Sequence, residues 1–470
     1  MSQETPHPRQ EAAQFALEAA KAYGVSDFAL AESLFARAAR LDPGTSGYRC
    51  NLATARLALG KNDLARTDLQ SALDPLEPLD CATFGLVLKT AGHDGEAAIW
   101  LRRALLLDPR QMAARINLSN LLTAEGRHDE AIHLMREGLA EMPGQVSLLN
   151  NLGLALHETG ALNEALSILS QARALAPDKP EIALNLAHTL LMMGRMAEGF
   201  AAYEARPLIA APSQAPRWQG ENRPGKTLLV WCEQGLGDAL QFVRLLPQAA
   251  KRAGNLLLAC DPSLHRLFEK IAPCVDESAA PPAHEVQCPL LSLPHLLKLD
   301  DASLYGQTPY LQAAPPMALA GEIKIGLVWA GRRGHANDRN RSLSPDLLSP
   351  LLAIPGMTFY SLQIGRGPAP MGMIDLAPRI ADLHDTASAL LGLDLLISAD
   401  TAPAHLAGAL GRPVWTLLPF APDWRWGWEG ETTPWYPRMR LFRQKRPGDW
   451  PEVIEQVAQA LQRASKTRSF

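Results

Sequence analysis

The first stretch whose residue types could do chemistry is the sequence EQGLGD at positions 233–238. Gly235 and Gly237 carry no side chain, so a ligand can approach the backbone closely there. Asp238 stands where a helix is predicted to begin, and its carboxylate could project into a cleft or could simply cap the helix. A dinucleotide-binding fingerprint is excluded, because Leu240 occupies the position that its third glycine requires.

The second such stretch is ADTAPAH at positions 399–405, which follows an apolar run and opens a predicted helix. A helix N-terminus presents N–H groups and partial positive charge to an anion, and ligands of open parallel sheets bind beyond the carboxyl ends of the strands. We therefore expect a phosphate-bearing ligand over Thr401, Ala402 and His405, and we predict that Asp400 contacts the nucleoside or a phosphate of that ligand. His405 could instead be a buried histidine bonded to a backbone carbonyl.

Two further candidate regions follow other predicted strands. Residues 329–341, WAGRRGHANDRNR, are rich in arginine and come directly after a strand, where a ligand loop is expected. We predict that Trp329 contacts the nucleoside or a phosphate of the ligand and that Arg341 contacts a phosphate or an acceptor molecule. Gln363, which ends the strand FYSLQ, is predicted to contact a base or ribose. The alternatives are a solvated basic loop and an ordinary turn residue.

The sequence predicts that neither a metal ion nor a bound cofactor takes part. There is no D-x-D pair, so positive potential for a departing diphosphate would come from a helix N-terminus and from cations. The six cysteines are scattered without a C-x-x-C pair, which indicates reduced, buried thiols rather than a zinc site.

The first two hundred residues contain an internal repeat. Small residues recur at steps of 34, 32, 34, 34 and 34 residues, namely Ala31, Ala65, Ala97, Ala131, Ala165 and Gly199. Each unit contains two helical patterns, with a glycine between them and a proline after most of them. The pattern resembles the tetratricopeptide repeat and predicts six units over residues 12–206, stacked as an α superhelix. Residues 1–11 are predicted to be disordered.

Four asparagines occupy the sixth position of their repeats: Asn51, Asn117, Asn151 and Asn185. In tetratricopeptide repeats the first helix lines the inner groove, so these amides would form a ladder along it. A carboxamide offers a donor and an acceptor, as an extended peptide backbone requires. We therefore predict an acceptor protein or peptide as a partner. The alternative is hydrogen bonding between the helices themselves.

The pattern of apolar runs in the second half of the chain predicts alternating strands and helices. Proline and glycine accumulate over residues 207–225, which indicates a linker or a wrapped connector. Two series of short apolar runs and helices follow, at 226–312 and 313–470, and such alternation is typical of parallel sheets with helical crossovers. The predicted fold is an α superhelix followed by two α/β, Rossmann-like lobes that face a cleft.

This half resembles the heptosyltransferase group, glycosyltransferase family nine, whose fold is GT-B. The resemblance rests on the Gly-Asp turn of the first lobe and the D-T-x-x-x-H turn of the second. It implies that Asp238 is the catalytic base and that Thr401, Ala402 and His405 bind the donor diphosphate. The family has glycine where this chain has Ala402. The fusion to repeats is similar in organisation to O-GlcNAc transferase and to bacterial flagellin glycosyltransferases.

We therefore expect a metal-independent glycosyltransferase that moves a sugar from a nucleotide-sugar donor to a hydroxyl, on a protein that the repeats recruit. The alternatives are an inactive repeat scaffold and a heptosyltransferase that acts on a glycolipid. The 470 residues carry a net charge of −4, which gives no reason to expect nucleic acid. A polar N-terminus and the lack of a long apolar run predict a cytoplasmic protein without a membrane span.

Overall fold

The structure is a computed structural model that describes residues 8–70, 78–90, 92–208, 211–299, 301–305, 308–312, 315–335, 337–468 and 470. It divides the chain into two compact units, Met1–Pro177 and Asp178–Phe470. The boundary therefore falls before the sixth predicted repeat and not after it. Residues 1–7 of the predicted disordered segment lie outside the described residues, and the first helix begins at Pro8, ahead of the predicted start at residue 12.

The described part of the first unit contains ten helices, two for each of five repeats. They are α1 (Pro8–Gly24), α2 (Phe28–Leu41), α3 (Ser46–Ala58), α4 (Asn62–Gln70), α5 (Pro78–Thr90), α6 (Asp94–Leu107), α7 (Met112–Ala124), α8 (His128–Glu141), α9 (Val146–Glu158) and α10 (Leu162–Leu175). The recurring alanines are fully buried, because only a small side chain fits where two helices cross: Ala31, Ala65, Ala97, Ala131 and Ala165. The predicted repeats are confirmed.

The glycines between paired helices have positive φ angles. Values between 73° and 81° occur at Gly60, Gly92, Gly126 and Gly160. A left-handed residue directly after a helix satisfies its last carbonyl groups and reverses the chain, and glycine adopts this conformation without steric cost. The repeated glycines thus explain why each unit turns back at the same position.

The sixth repeat belongs to the second unit and consists of α11 (Pro180–Met192) and α12 (Met196–Tyr203). Phe200 packs edge-on against Phe242 and Trp424, with ring centroids 5.9 and 5.7 Å apart. Directly after α12, Arg206 and Glu233 form a 2.6 Å ion pair in which both side chains are only 2% exposed. The sixth repeat is therefore anchored in the α/β part of the chain.

The predicted linker, residues 207–225, packs along the first lobe where it is described. Trp218 is fully buried, and its backbone N–H donates to the Gln287 carbonyl at 2.8 Å. Arg217 forms an ion pair with Glu204 at the end of the sixth repeat. The segment is therefore a wrapped connector, which was one of the two alternatives, while residues 209 and 210 lie outside the described residues.

The first lobe is a four-stranded parallel sheet with helices on its faces. Its elements are β1 (Lys226–Trp231), α13 (Leu236–Phe242), α14 (Leu246–Ala253), β2 (Gly254–Cys260), α15 (His265–Phe268), β3 (Cys274–Asp276), β4 (Val286–Pro289), α16 (Leu293–Leu297) and α17 (Asp301–Tyr305). The strand order is β3-β2-β1-β4, so β1 lies in the interior of the sheet.

The second lobe is a six-stranded parallel sheet. Its elements are β5 (Lys324–Val328), α18 (Asp338–Arg341), α19 (Ser349–Leu352), β6 (Thr358–Ser361), β7 (Met373–Asp375), α20 (Leu383–Gly392), β8 (Leu395–Ala399), α21 (Ala402–Ala409), β9 (Val414–Leu418), β10 (Met439–Arg443) and α22 (Trp450–Thr467). The strand order is β10-β9-β8-β5-β6-β7. The final helix, α22, buries Val453, Val457 and Leu461 in the core of this lobe.

The observed architecture agrees with the predicted α superhelix followed by two α/β lobes. The short strands β3, β7 and β10 were not predicted, because runs of three to five residues with charged members carry little periodic signal. All six cysteines are free thiols. Among the described helices, none is both long enough and apolar enough to cross a bilayer.

Candidate active site

Asp238 lies in the first turn of α13, just beyond the carboxyl end of β1. Its Oδ2 accepts the N–H of Gly235 at 3.0 Å and so caps the helix. Its Oδ1 accepts a hydrogen bond from the guanidinium of Arg425 in the second lobe. Asp238 therefore caps its helix and also lies at the junction of the two lobes, although the sequence presented these two roles as alternatives.

Arg425 is the candidate that sequence reasoning missed. It lies on a short 3-10 turn, Trp424–Trp426, and is 8% exposed. Besides Asp238, its guanidinium binds Gln241 Oε1 at 2.6 Å and Asp423 Oδ1 at 2.8 Å. Asp238 and Gln241 belong to the first lobe, so Arg425 connects the two lobes. An arginine between tryptophans was its sole signal in the sequence, and that pattern does not identify partners 187 residues away.

Burial dominates the electrostatics of the acidic groups around Arg425. It raises the pKa of Asp238 above its ordinary value, and the positive charge of Arg425 opposes that shift. It also raises the pKa of Asp400 to about 6, and the nearby Asp423 carboxylate acts in the same direction. Asp400 therefore changes its charge within reach of physiological pH.

The turn after β8 places Thr401 at the N-cap of α21 and Ala402 at the first helical position. The Thr401 hydroxyl points back into the fold, donating to the Ala399 carbonyl at 3.2 Å and lying 2.9 Å from the Ser398 hydroxyl. The next two N–H groups of the helix donate to the Thr401 carbonyl, at 3.0 and 3.5 Å. The groups left for an anion are therefore the Ala402 amide and the helix dipole, and the predicted contact through the Thr401 hydroxyl is not favoured.

His405 packs between the lobes, in agreement with the buried alternative. Its Nδ1 lies 3.0 Å from the Tyr436 hydroxyl, and its ring centroid lies 5.1 Å from that of Trp426. Burial lowers the pKa of His405 to about 3, so the ring is neutral at physiological pH and brings no positive charge to a phosphate. The geometry therefore favours a packing role for His405, and its predicted role as a diphosphate ligand stays a prediction.

Gly237 allows the close approach of α13 to α21. A Cβ atom at this position would lie 2.9 Å from His405 Cδ2, which is shorter than real Cβ contacts. Gly235 has an ordinary φ of −68°, and its backbone N–H donates a hydrogen bond to Asp238 Oδ2. Of the two predicted glycines, Gly237 is thus the one that the packing requires.

Trp329 and Gln363 have structural roles. The Trp329 side chain is buried in the hydrophobic core of the second lobe. Gln363 Oε1 accepts the N–H groups of Trp329 and Ala330 at 3.1 and 2.9 Å, and its Nε2 donates to the carbonyls of Ala330 and Ile364 at 3.0 and 3.3 Å. The carboxamide therefore joins the ends of β5 and β6. These contacts do not favour the predicted contacts of the two side chains with a donor nucleoside, which stay predictions.

Arg341 remains a candidate phosphate contact. It ends α18, and its guanidinium lies against Gly331, where a Cβ would come within 2.7 Å of Nη2. Its Nε is buried and has no hydrogen-bond partner in the part of the chain that the structure describes. Its charge acts on Asp400 and on His405, which places it beside the start of α21. A buried guanidinium nitrogen without a partner can be satisfied by an anionic ligand.

The predicted ladder asparagines each occupy the sixth residue of a helix, α3, α7, α9 or α11: Asn51, Asn117, Asn151 and Asn185. Asn51 is exposed. Asn117 Nδ2 donates to the Ala113 carbonyl of its own helix at 2.9 Å, and Asn151 Nδ2 donates to Asn120 Oδ1 on α7 at 2.6 Å. Part of their bonding capacity is therefore used within the repeats, and the peptide ladder stays a prediction.

A second polar cluster lies at the start of α20. Asp382, His384 and Asp385 are close enough together to hold a metal ion. The Arg266 guanidinium of the first lobe bonds all three side chains, at 3.0, 2.9 and 3.2 Å. The cluster thus serves as another polar connection between the two lobes.

Comparison with known proteins agrees with this architecture. Residues 156–220 match the tetratricopeptide repeat, and residues 366–456 match glycosyltransferase family 9 (heptosyltransferase). The chain thus contains one segment similar to each of these two families. The second match includes the start of α21 and Arg425, whereas Asp238 lies outside it.

Protein FlbA of Caulobacter vibrioides is 31% identical over 325 residues, which cover 58% of this chain and 53% of FlbA. The chain thus spans about half the length of the curated relative that it matches. Two similar solved structures are the APC/C hetero-tetramer Cut9-Hcn1, at 16% identity, and PilW, a type IV pilus biogenesis factor, at 18%. Both have a TM-score of 0.38; the first match covers 43% of this chain and 40% of that one, the second 41% and 90%.

Proposed function

We propose that the chain is a glycosyltransferase that moves a sugar from a nucleotide-sugar donor to a hydroxyl of a protein acceptor, without a metal ion. Two contacts between the lobes carry the proposal. Gly237, in the turn after β1, packs on His405 near the start of α21, and Asp238 pairs with Arg425 of the second lobe. A proton acceptor and an anion-binding helix start thereby belong to one site, as transfer from a nucleotide sugar requires. The family 9 match supports this class of reaction.

The donor diphosphate binds at the start of α21. The Ala402 amide and the helix dipole attract its oxygens. Arg341 supplies a full positive charge, and its Nε has no partner among the residues that the structure describes. Arg425 adds positive potential from the other side, although two carboxylates already share its charge. These groups stabilise the negative charge that develops on the diphosphate as it leaves.

Asp238 acts as the general base. A carboxylate offers about four lone-pair sites, and the N–H groups of Gly235 and Arg425 occupy one on each oxygen. The backbone N–H of Asp238 itself also bonds the carboxylate, which leaves about one site for the acceptor hydroxyl. As the acceptor oxygen bonds to the anomeric carbon, its proton passes to Asp238, and the diphosphate departs with the electron pair of the broken C–O bond.

Two opposing influences suit Asp238 to this role. Burial raises its pKa, which makes the carboxylate a better base than an exposed aspartate. The positive charge of Arg425 opposes this rise and favours the ionised carboxylate, which is the form that accepts a proton.

A donor panel tests the proposal. The full chain is incubated with sugars linked to UDP, GDP, ADP, dTDP and CMP, with and without EDTA, and nucleotide release and thermal shifts are measured. We expect slow release from one diphosphate-linked class and a thermal shift with the matching nucleoside diphosphate, both unchanged by EDTA. Loss of release in EDTA would contradict metal independence, and a preference for CMP would contradict the diphosphate assignment. Neither release nor shift with any donor would favour the inactive scaffold.

A further inference from the structure

The sixth repeat contributes residues next to the candidate active site. Helix α11 packs on the 3-10 turn that carries Arg425. His188 on α11 lies 5.7 Å from the ring of Tyr203 on α12, measured between centroids. The Tyr203 hydroxyl accepts a hydrogen bond from Gln234 Nε2 at 2.7 Å, within the turn that ends in Asp238. The last pair of repeat helices therefore forms one wall of the site.

Charged residues of the candidate site interact electrostatically with His188 and Tyr203 in the sixth repeat. Burial lowers the pKa of His188, and the charges of Asp423 and Arg425 act on it in opposite directions. The same Arg425, together with Asp238, acts on the hydroxyl of Tyr203, whose pKa is raised chiefly by burial. His188 thus lies in the same electrostatic environment as Asp238.

The His188 ring is available to a ligand. It is half-buried, and its nitrogens form no hydrogen bond within the part of the chain that the structure describes. Its lowered pKa keeps the ring neutral at physiological pH, with one donor nitrogen and one acceptor nitrogen. A backbone peptide group presents the complementary acceptor and donor.

Asn185 and His188 are three residues apart on α11 and so share one face of the helix. Asn185 occupies the position of the predicted amide ladder, and His188 continues the same face toward Asp423 and Arg425. A chain that follows this face therefore passes from the ladder position to the site that contains Asp238.

We infer that His188 is a positioning residue for the acceptor. It hydrogen-bonds the backbone of an extended polypeptide beside the residue whose hydroxyl receives the sugar, so that this hydroxyl reaches Asp238. The inference rests on the proposed glycosyl transfer and adds to it a residue that positions the acceptor and the acceptor's place of entry.

The test uses the full chain, the donor selected by the panel above, and a pool of short unstructured peptides that each contain one serine or threonine. His188→Ala should raise the KM for peptide about tenfold, roughly the effect of losing one or two hydrogen bonds. The kcat and the donor hydrolysis without peptide should stay within about twofold of wild type. His188→Gln, which keeps a donor and an acceptor, should retain most of the affinity for peptide.

His133→Ala is the matched control, because this histidine lies on α8 with a side chain that is 78% exposed. It should change neither KM nor hydrolysis. An unchanged peptide KM in His188→Ala, or an equal loss of hydrolysis and transfer, would overturn the inference. So would a wild-type protein that hydrolyses the donor but modifies no peptide, and this result would leave the proposed donor chemistry intact. Absence of hydrolysis with every donor would instead contradict the proposed function itself.

Discussion

Replacing Arg206 by methionine removes the cation that neutralises Glu233 between the sixth repeat and the first lobe. Arg206 donates to Glu233 at 2.6 Å and to the Ser292 hydroxyl at 3.0 Å. Glu233 also accepts the N–H groups of Leu290 and Leu291, at 3.0 and 3.2 Å. In Arg206→Met, a carboxylate that is almost inaccessible to solvent loses its counter-charge.

The expected loss of stability is large. Removing one partner of a buried ion pair costs about 3–5 kcal/mol, because the remaining charge stays desolvated. At about 2–4 °C for each kcal/mol in a domain of this order of size, the midpoint of unfolding should fall by about 6–20 °C. Burial raises the pKa of Glu233 against the opposing charge of Arg206, so the pKa should rise further in the variant. The penalty should therefore be small at acidic pH, where Glu233 is protonated, and should grow as the pH rises through the folded-state pKa.

Calorimetric unfolding of the full chain at several pH values measures this effect. Arg195→Met is the matched control, because Arg195, at the start of α12, forms a 2.6 Å pair with Glu198 on the protein surface, where solvent screens the interaction. Adding Glu233→Gln to Arg206→Met should recover much of the loss, since the unpaired charge is removed. The reasoning is refuted if Arg206→Met unfolds within about 1 kcal/mol of wild type, or if its deficit is the same at acidic and neutral pH.

Three further variants test the donor site. Arg341→Met should weaken binding of the preferred nucleotide sugar about tenfold or more in calorimetry, because a positive charge beside the diphosphate is lost. The exposed Arg332→Met should not weaken it. Affinity for a nucleotide sugar should fall as pH rises through about 6, because Asp400 ionises there while the diphosphate of a nucleotide sugar does not titrate in this range. Asp400→Asn should remove this pH dependence. A flat pH profile for the wild type would contradict the placement of Asp400 beside the diphosphate. Gly237→Ala should lower both the midpoint of unfolding and the transfer rate, because its Cβ would meet His405 at 2.9 Å; wild-type values for both would contradict the packing.

The fold was largely predictable, because the repeats and the alternation of strands and helices are periodic signals. The buried alanines such as Ala131 and the parallel strands on both sides of β1 agree with them. The assignment of the sixth repeat to the second unit was not predictable. It depends on contacts of Phe200 with Phe242 and Trp424 and of Arg206 with Glu233, and side-chain pairs that are distant in sequence leave no periodic trace.

The candidate site was predictable in position more than in detail. The two turns that carry Asp238 and Thr401 were correctly expected at strand ends. A sequence does not reveal whether a polar side chain at a strand end faces a ligand or satisfies neighbouring backbone groups, and Gln363 proved to be of the second kind. Arg425 was missed for the related reason that its partners lie in the other lobe.

The most direct test of the central claim compares wild type with Asp238→Asn, using the donor class identified by the panel. The account predicts that asparagine keeps the cap on Gly235 and leaves the affinity for donor, measured by calorimetry, within about threefold of wild type. It also predicts that transfer falls by about 10²-fold or more, because the general base is lost. Transfer at the wild-type rate by a correctly folded Asp238→Asn protein would contradict the assignment of Asp238 as the base.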